Sequence, residues 1–360
     1  MSDIEVLSKI NVNIKPIGKY KARKIFSDDD SSEDDNIVVK PIKKPSPIIG
    51  NRPIIDYLVI DANRYDYKDW NECFPKKNVI LRKLVFNSKW DDFFDLVSSK
   101  PYYDELEKNL SECLKNSNNK IIPKAELVFN AFNTMEPNKI KIVVLGQDPF
   151  PGSSVVNDVT IDHATGIAFS SPINCPTPKS SSNFFLNLKK FGLISEYPKS
   201  GCLSSLAMQG VFFVNAALTA LHGIKNSHKN LWNDFIGDLI DYLTTKYNNL
   251  VFIVWGKDAN NMCKYINPSK HFIITSSHPS FYSCDKTTQG FEYGPVVDEQ
   301  YRNTVTYPSF NSINHFGRAN EWLKMKGKSE IFMDCLELST IVGQMTAKKN
   351  KRIRKKEKKN

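Results

Sequence analysis

The stretch IKIVVLGQDPFP, residues 140–151, holds a continuous apolar run that stops abruptly at a polar, proline-rich turn. Runs of this length, rich in β-branched residues and without polar alternation, suit a strand buried on both faces of a parallel sheet. Three further runs share the pattern: VFFV at 211–214, LVFIVW at 250–255 and HFIIT at 271–275. Helix-like stretches lie between and before them. LWNDFIGDLIDYLTTKY repeats Leu231, Phe235, Leu239 and Leu243 every four residues, DDFFDLV and YDELEKNLSECLK show helical apolar spacing, and PKAELVFNAF reads as one more short helix. Strands alternating with helices predict an α/β fold: a doubly wound sheet with four central parallel strands flanked by helices.

In such sheets ligands bind beyond the carboxyl ends of the strands. The four runs are followed by Gly146-Gln147-Asp148-Pro149-Phe150-Pro151, by Asn215, by Gly256-Lys257, and by Ser276-Ser277-His278-Pro279-Ser280. One rim therefore gathers a carboxylate, two amides and an imidazole. Each piece also has an ordinary reading. Asp148 before a proline fits a turn, Asn215 fits a helix cap, and His278 fits a plain loop residue. Together, without metal-ligand spacing, they point to acid–base or leaving-group chemistry. The zincin, P-loop, dinucleotide-binding and nucleophile-elbow motifs are absent.

The chain has 360 residues and a net charge of +10, spread unevenly. Lys348 to Asn360 carries nine Lys/Arg against one Glu, and Ser27 to Asn36 carries six acids and no base. The body between them is mildly basic, which fits a polyanionic partner. Seven cysteines, at 73, 113, 175, 202, 263, 284 and 335, form no C-x-x-C pair. An odd, scattered set argues against a disulfide framework and suggests a reducing compartment. The first residues lack a secretory pattern, and no apolar run approaches the roughly 20 residues of a membrane helix. The expectation is a soluble intracellular protein. Residues 1–52 read as a disordered extension, 53–86 as an addition of open status, 87–338 as the regular α/β domain and 339–360 as a basic disordered tail.

Six blocks, VVLGQDPFPG, GIAFSS, GVFFVNAALT, NSHK, VFIVWGK and SSHPSFYS, resemble the family 1 uracil-DNA glycosylases in the family's order, from about Phe86 to Leu338. The extension, the insertions and the Lys/Asn-rich style resemble a version from a large DNA virus. The resemblance implies a uracil-DNA glycosylase-like fold and cleavage of the uracil–deoxyribose bond. It implies no metal and no organic cofactor, and a target nucleotide flipped out of the stack. It carries over residue by residue. Asp148 matches the catalytic aspartate and His278 the histidine that bonds uracil O2. Gln147 matches the pocket-floor glutamine, Asn215 the reader of the uracil edge, and Phe169 the stacking aromatic. Pro176, Pro178 and Ser180 match a proline-rich DNA loop, Gly256 a glycine-serine loop, and Ser280 the serine after His-Pro.

Four positions depart from the family pattern. Phe150 stands where the thymine-excluding tyrosine is usual and keeps its bulk. Pro151 replaces a histidine. Lys257 replaces a loop serine and adds a phosphate-pairing charge. Tyr282 replaces the leucine wedge. Two insertions are expected, one of about eight residues within Gly152–His163 and a longer one around Cys284–Pro308. The implied partner is uracil-containing single- or double-stranded DNA, met by a monomer. No membrane is implied, and a protein inhibitor or replication partner is left open. Two other classes stand beside this reading. One is a DNA-binding scaffold on the same fold without robust catalysis. The other is a nucleotide-binding α/β module, against which the missing phosphate loop speaks.

Overall fold

The computed structural model describes residues 67–116, 118–287 and 308–336, plus the backbone of a short antiparallel strand pair, Ile48–Ile49 with Arg52–Pro53. The acidic run at 27–36, residues 54–66, most of the second insertion (288–307) and the tail expected at 339–360 lie outside the described residues.

Four strands build the centre: β1 (Ile142–Gly146), β2 (Val211–Asn215), β3 (Val251–Trp255) and β4 (Phe272–Ser276). All pairings are parallel, in the order β4-β3-β1-β2. The four apolar runs thus become the four strands, displaced by no more than two residues at either end. Alternate side chains leave opposite faces. Val143, Leu145, Phe212, Val214, Phe252 and Val254 enter one buried cluster, whereas Ile142, Val144, Val211, Phe213, Ile253 and Trp255 enter another. This two-sided burial is why the runs show no polar alternation.

Helices α1 (Asp91–Ser98), α2 (Pro101–Lys115) and α4 (Asn233–Lys246) cover the first face. Their core is aromatic: Trp90 packs 4.9 Å from Phe132 and 5.5 Å from Phe212, centroid to centroid. Helices α3 (Lys179–Lys190) and α5 (His315–Met325) cover the other. Two expectations are refined. PKAELVFNAF splits into a 3-10 turn, Ala125–Leu127, and a helical turn, Asn130–Thr134. Leu231 falls in a 3-10 turn, Lys229–Trp232, ahead of α4, and the fully buried residue of that turn is Trp232.

Residues 67–86, left open by the sequence, place Trp70, Phe74, Val79, Leu81 and Leu84 in the first core. The insertion after Gly152 is a β-hairpin, Ser153–Val156 with Val159–Asp162. Its two turn residues, Asn157 and Asp158, have φ of 50° and 63°. Two successive left-handed residues make the tight turn whose twist matches the flanking strands.

Candidate active site

The four strands end level. Gly146 pairs with Asn215, Leu145 with Val254, and Trp255 with Ser276. Whatever follows these residues must therefore emerge side by side. A cavity of about 340 Å³ opens there, and Gln147, Asp148, Phe169, Asn215 and His278 all line it. Phe150, Pro151, Ser180, Gly256, Lys257, Ser280 and Tyr282 also line its wall and mouth.

Gly146 is required by closeness rather than by φ. A Cβ there would stand 2.2 Å from Asn215 Oδ1 and 2.9 Å from Ala168 Cβ. The missing side chain leaves the room that the Asn215 amide occupies. Asn215 is buried, yet among the described residues its amide has no hydrogen-bond partner. That amide lines the cavity and reaches its open space, so a ligand with matching groups can engage both its N–H and its carbonyl. The helix-cap reading of Asn215 fails, since it caps nothing here.

Phe169 sits at φ 62°, unusual for a residue with a side chain. Its neighbours hold it there. Ala168 N–H donates to Phe213 O at 3.2 Å, and Ser181 Oγ donates to Phe169 O at 2.6 Å. The ring meets the edge of Trp255 at 5.0 Å and 73°. Trp255 is itself fixed, because its indole N–H donates to His315 Nδ1 at 3.2 Å inside the second core. The flat aromatic face at the cavity is thus braced from behind.

His278 Nδ1 accepts the backbone N–H of Ser280 at 3.0 Å. Burial pushes the imidazole pKa down to about 4. Gly256, at φ 86°, lets the β3 loop approach, since a Cβ there would meet His278 Cβ at 2.9 Å. Asp148 Oδ2 accepts the backbone N–H of Asn226 at 2.7 Å. Burial raises the Asp148 pKa, while the Asn226 N–H and Lys225 favour the anion.

The geometry now meets the comparisons. Residues 132–295 match the model of the uracil DNA glycosylase superfamily. A probable uracil-DNA glycosylase of Acanthamoeba polyphaga mimivirus is 47% identical over 292 residues, covering 81% of this chain and 76% of that protein. The chain belongs to the uracil-DNA glycosylase family. A uracil-DNA glycosylase of Buchnera aphidicola subsp. Cinara cedri is 34% identical over 260 residues, 71% of this chain and 100% of that one. The crystal structure of mimivirus uracil-DNA glycosylase superposes with a TM-score of 0.71 at 47% identity, over 78% of this chain and 99% of that chain. Structures of two substituted forms of the mimivirus enzyme contain it in complex with UGI.

Against the uracil-DNA glycosylase pattern, most singled-out residues meet at one cavity. Pro178 is the residue before helix α3, and Ser180 lies in its first turn, at the cavity wall. Backbone N–H groups at such a helix start favour anions. Pro176 is exposed and does not line the cavity. Pro151 lines it, and its carbonyl accepts Gly223 N–H at 2.9 Å, tying the turn after β1 to the loop before Lys225. Tyr282 is 81% exposed and Phe281 72% exposed, edge to face at 5.8 Å.

Sequence reasoning missed four cavity residues or neighbours: Trp255, Lys225, Asn226 as a donor to Asp148, and Asp258. Trp255 reads as core because it is core, and it also lines the cavity. Asp258 was within reach, two residues past Gly256 on the same strand-end loop.

Proposed function

We propose that this chain hydrolyses the N-glycosidic bond of deoxyuridine in DNA, releasing uracil and leaving an abasic site. The observation that carries the reading is the single cavity where Asp148, Asn215, Phe169 and His278 meet at the level ends of parallel strands.

A base flipped out of the helix stacks on Phe169, an interaction of about 1–3 kcal/mol. The Asn215 amide donates to uracil O4 and accepts from N3–H. Cytosine presents the opposite pattern, and a mismatched buried pair costs about 1–3 kcal/mol. Phe150 fills the space that a 5-methyl group would need, and Gln147 closes the floor. As the C1′–N1 bond breaks, its electron pair leaves with the base and spreads to O2. The N–H of neutral His278 stabilises that oxygen. The Asp148 carboxylate orients a water toward C1′ and stabilises the cationic sugar. The water oxygen bonds to C1′ and its proton passes toward the carboxylate and solvent. Ser180, Ser280, Gly256 and Lys257 hold phosphates at the mouth, with the proline-rich loop around Pro176 and Pro178 beside them.

The test is uracil release from a single-stranded oligonucleotide with one deoxyuridine, read by alkaline cleavage of the abasic product. A scaffold without catalysis binds the oligonucleotide and leaves it intact.

A further inference from the structure

The cavity wall carries a second carboxylate that the roles above do not use. Asp258 stands in the short helical turn Lys257–Asn260, two residues after Gly256 at the cavity wall. Its Oδ2 accepts Gln147 Nε2–H at 2.9 Å, and its Oδ1 accepts Lys229 Nζ at 2.5 Å. The other Nε2 hydrogen of Gln147 goes to Asn226 Oδ1 at 2.8 Å. An amide nitrogen has two hydrogens, so two acceptors fix which way the Gln147 amide faces. The backbone N–H of Asn226 then donates to Asp148 Oδ2. Asp258, Gln147, Asn226 and Asp148 form one continuous chain across three strand-end loops. Lys229 anchors its far end, from the same turn as the fully buried Trp232.

We propose that Asp258 is a positioning residue, which orients Gln147 and, through Asn226, holds the Asp148 carboxylate in its working place. The inference rests on the glycosylase reading above. It also accounts for an acid on a rim that faces phosphates. By itself such a charge weakens DNA affinity. The Lys229 partner limits that effect, while the carboxylate organises the pocket floor.

The experiment measures uracil release by the full chain from a single-stranded oligonucleotide, from about pH 4 to about pH 8, for the unsubstituted protein, Asp258→Ala and Asp258→Asn. Asp258→Ala removes the acceptor. It is expected to lower kcat about tenfold or more, with KM unchanged or lower, as a misplaced carboxylate would. A loss of folded enzyme also lowers apparent kcat, so each kcat is normalised to the folded fraction read by circular dichroism. Asp258→Asn keeps an acceptor for Gln147 and loses the charge, and its kcat is expected to recover most of the loss.

The acid limb of the Asp258→Asn profile is expected to move to lower pH. The groups facing Asp148 are Lys225, the Asn226 N–H and Asp258. His278 lines the same cavity, and its ring is held toward the charged form by Asp258. Removing the Asp258 charge, and with it the counter-ion of Lys229, favours the Asp148 anion and the neutral His278 alike, so both shifts have one sign. Unchanged kcat in Asp258→Ala, or an acid limb in Asp258→Asn that stays or moves up, overturns the proposal. If Asp258→Ala melts early, the Asp258→Asn profile decides alone. Failure of the glycosylase reading is separate: the unsubstituted protein would then release no uracil.

Discussion

Nδ1 of His278 accepts a hydrogen bond from the backbone N–H of Ser280, two residues along the same loop, at 3.0 Å. A neutral imidazole carries one N–H, so this bond leaves the proton on Nε2. With the pKa pushed down to about 4 by burial, the ring is neutral throughout the physiological range. The loop thus supplies a donor whose tautomer is set by the backbone, with no positive charge required.

That arrangement predicts a nitrogen NMR signature. At neutral pH, 15N-labelled His278 should show a bare Nδ1 and a protonated Nε2, unchanged down to about pH 5. A doubly protonated ring at pH 7 would contradict the neutral-donor role. Correspondingly, His278→Leu and Asp148→Asn should each lower single-turnover uracil release by at least about a hundredfold, the scale of removing one well-placed stabilising group. Far-ultraviolet circular dichroism should match the unsubstituted protein. Near-normal release in both variants would remove the catalytic assignment.

Asn215→Asp tests the reading of the base edge. A protonated aspartic acid, or a carboxylate accepting from the cytosine amino group, inverts the pattern that the amide offers. The variant should gain cytosine release while losing most uracil release, because one mismatched buried pair costs about 1–3 kcal/mol. Paired oligonucleotides with uracil or cytosine at one position give the ratio. An unchanged preference would mean that another group reads the base.

Burial holds four histidines outside the cavity, His163, His228, His271 and His315, toward the neutral form, and each contributes to acid sensitivity. His228, hydrogen bonded to Thr219 Oγ1 at 2.8 Å, has its pKa pushed down to about 4, and His315, inside the second core, to about 3, both by burial. Each folded value lies below the unfolded one near 6.5. The unfolded chain therefore takes up protons first as pH falls, and stability is lost from about pH 6.5 downward. At pH 5 the loss is at most roughly 2 kcal/mol per ring relative to pH 7. The thermal midpoint should drop over that interval, and His228→Gln should make the drop shallower. A drop unchanged in His228→Gln would show that this ring does not carry the pH dependence.

Much of the fold and site was legible because the signals are local. A strand buried on both faces has no choice but to be apolar throughout, so IVVLG and VFIVW declare themselves, and the groups after Gly146 and Trp255 follow from topology. What stayed hidden depends on side-chain geometry. That Asn215 lacks a partner, that Phe169 adopts a left-handed φ, and that Asp258 reaches Gln147 are facts of three-dimensional placement. The hairpin at 153–162 was seen only as extra length. Its turn signal, Asn157-Asp158 between β-branched residues, is short and easily passed over.

Tyr282 stands where the resemblance implies a wedge, and we propose that its ring fills the gap left by a flipped base. Tyr282 and Phe281 project from a loop that is tied down on both sides. Ser277 Oγ donates to Ser283 O at 2.8 Å, Ser283 Oγ donates to His278 O at 3.0 Å, and Asn183 Nδ2 donates to Pro279 O at 2.8 Å. Large apolar rings exposed to water on a braced loop are placed to fill a gap, not to pack inward. In duplex DNA the flipped base leaves such a gap beside its former partner, and a stacked ring recovers about 1–3 kcal/mol. A single strand has no opposed base and no comparable gap. Tyr282→Ala should therefore slow uracil release from duplex by about tenfold while changing single-strand release by less than about threefold. Tyr282→Phe, which keeps the ring and loses only the hydroxyl, should restore most of the duplex rate. Equal loss on both substrates would instead tie Tyr282 to the cavity itself, and no loss on either would point to its neighbour Phe281 as the ring that enters the stack.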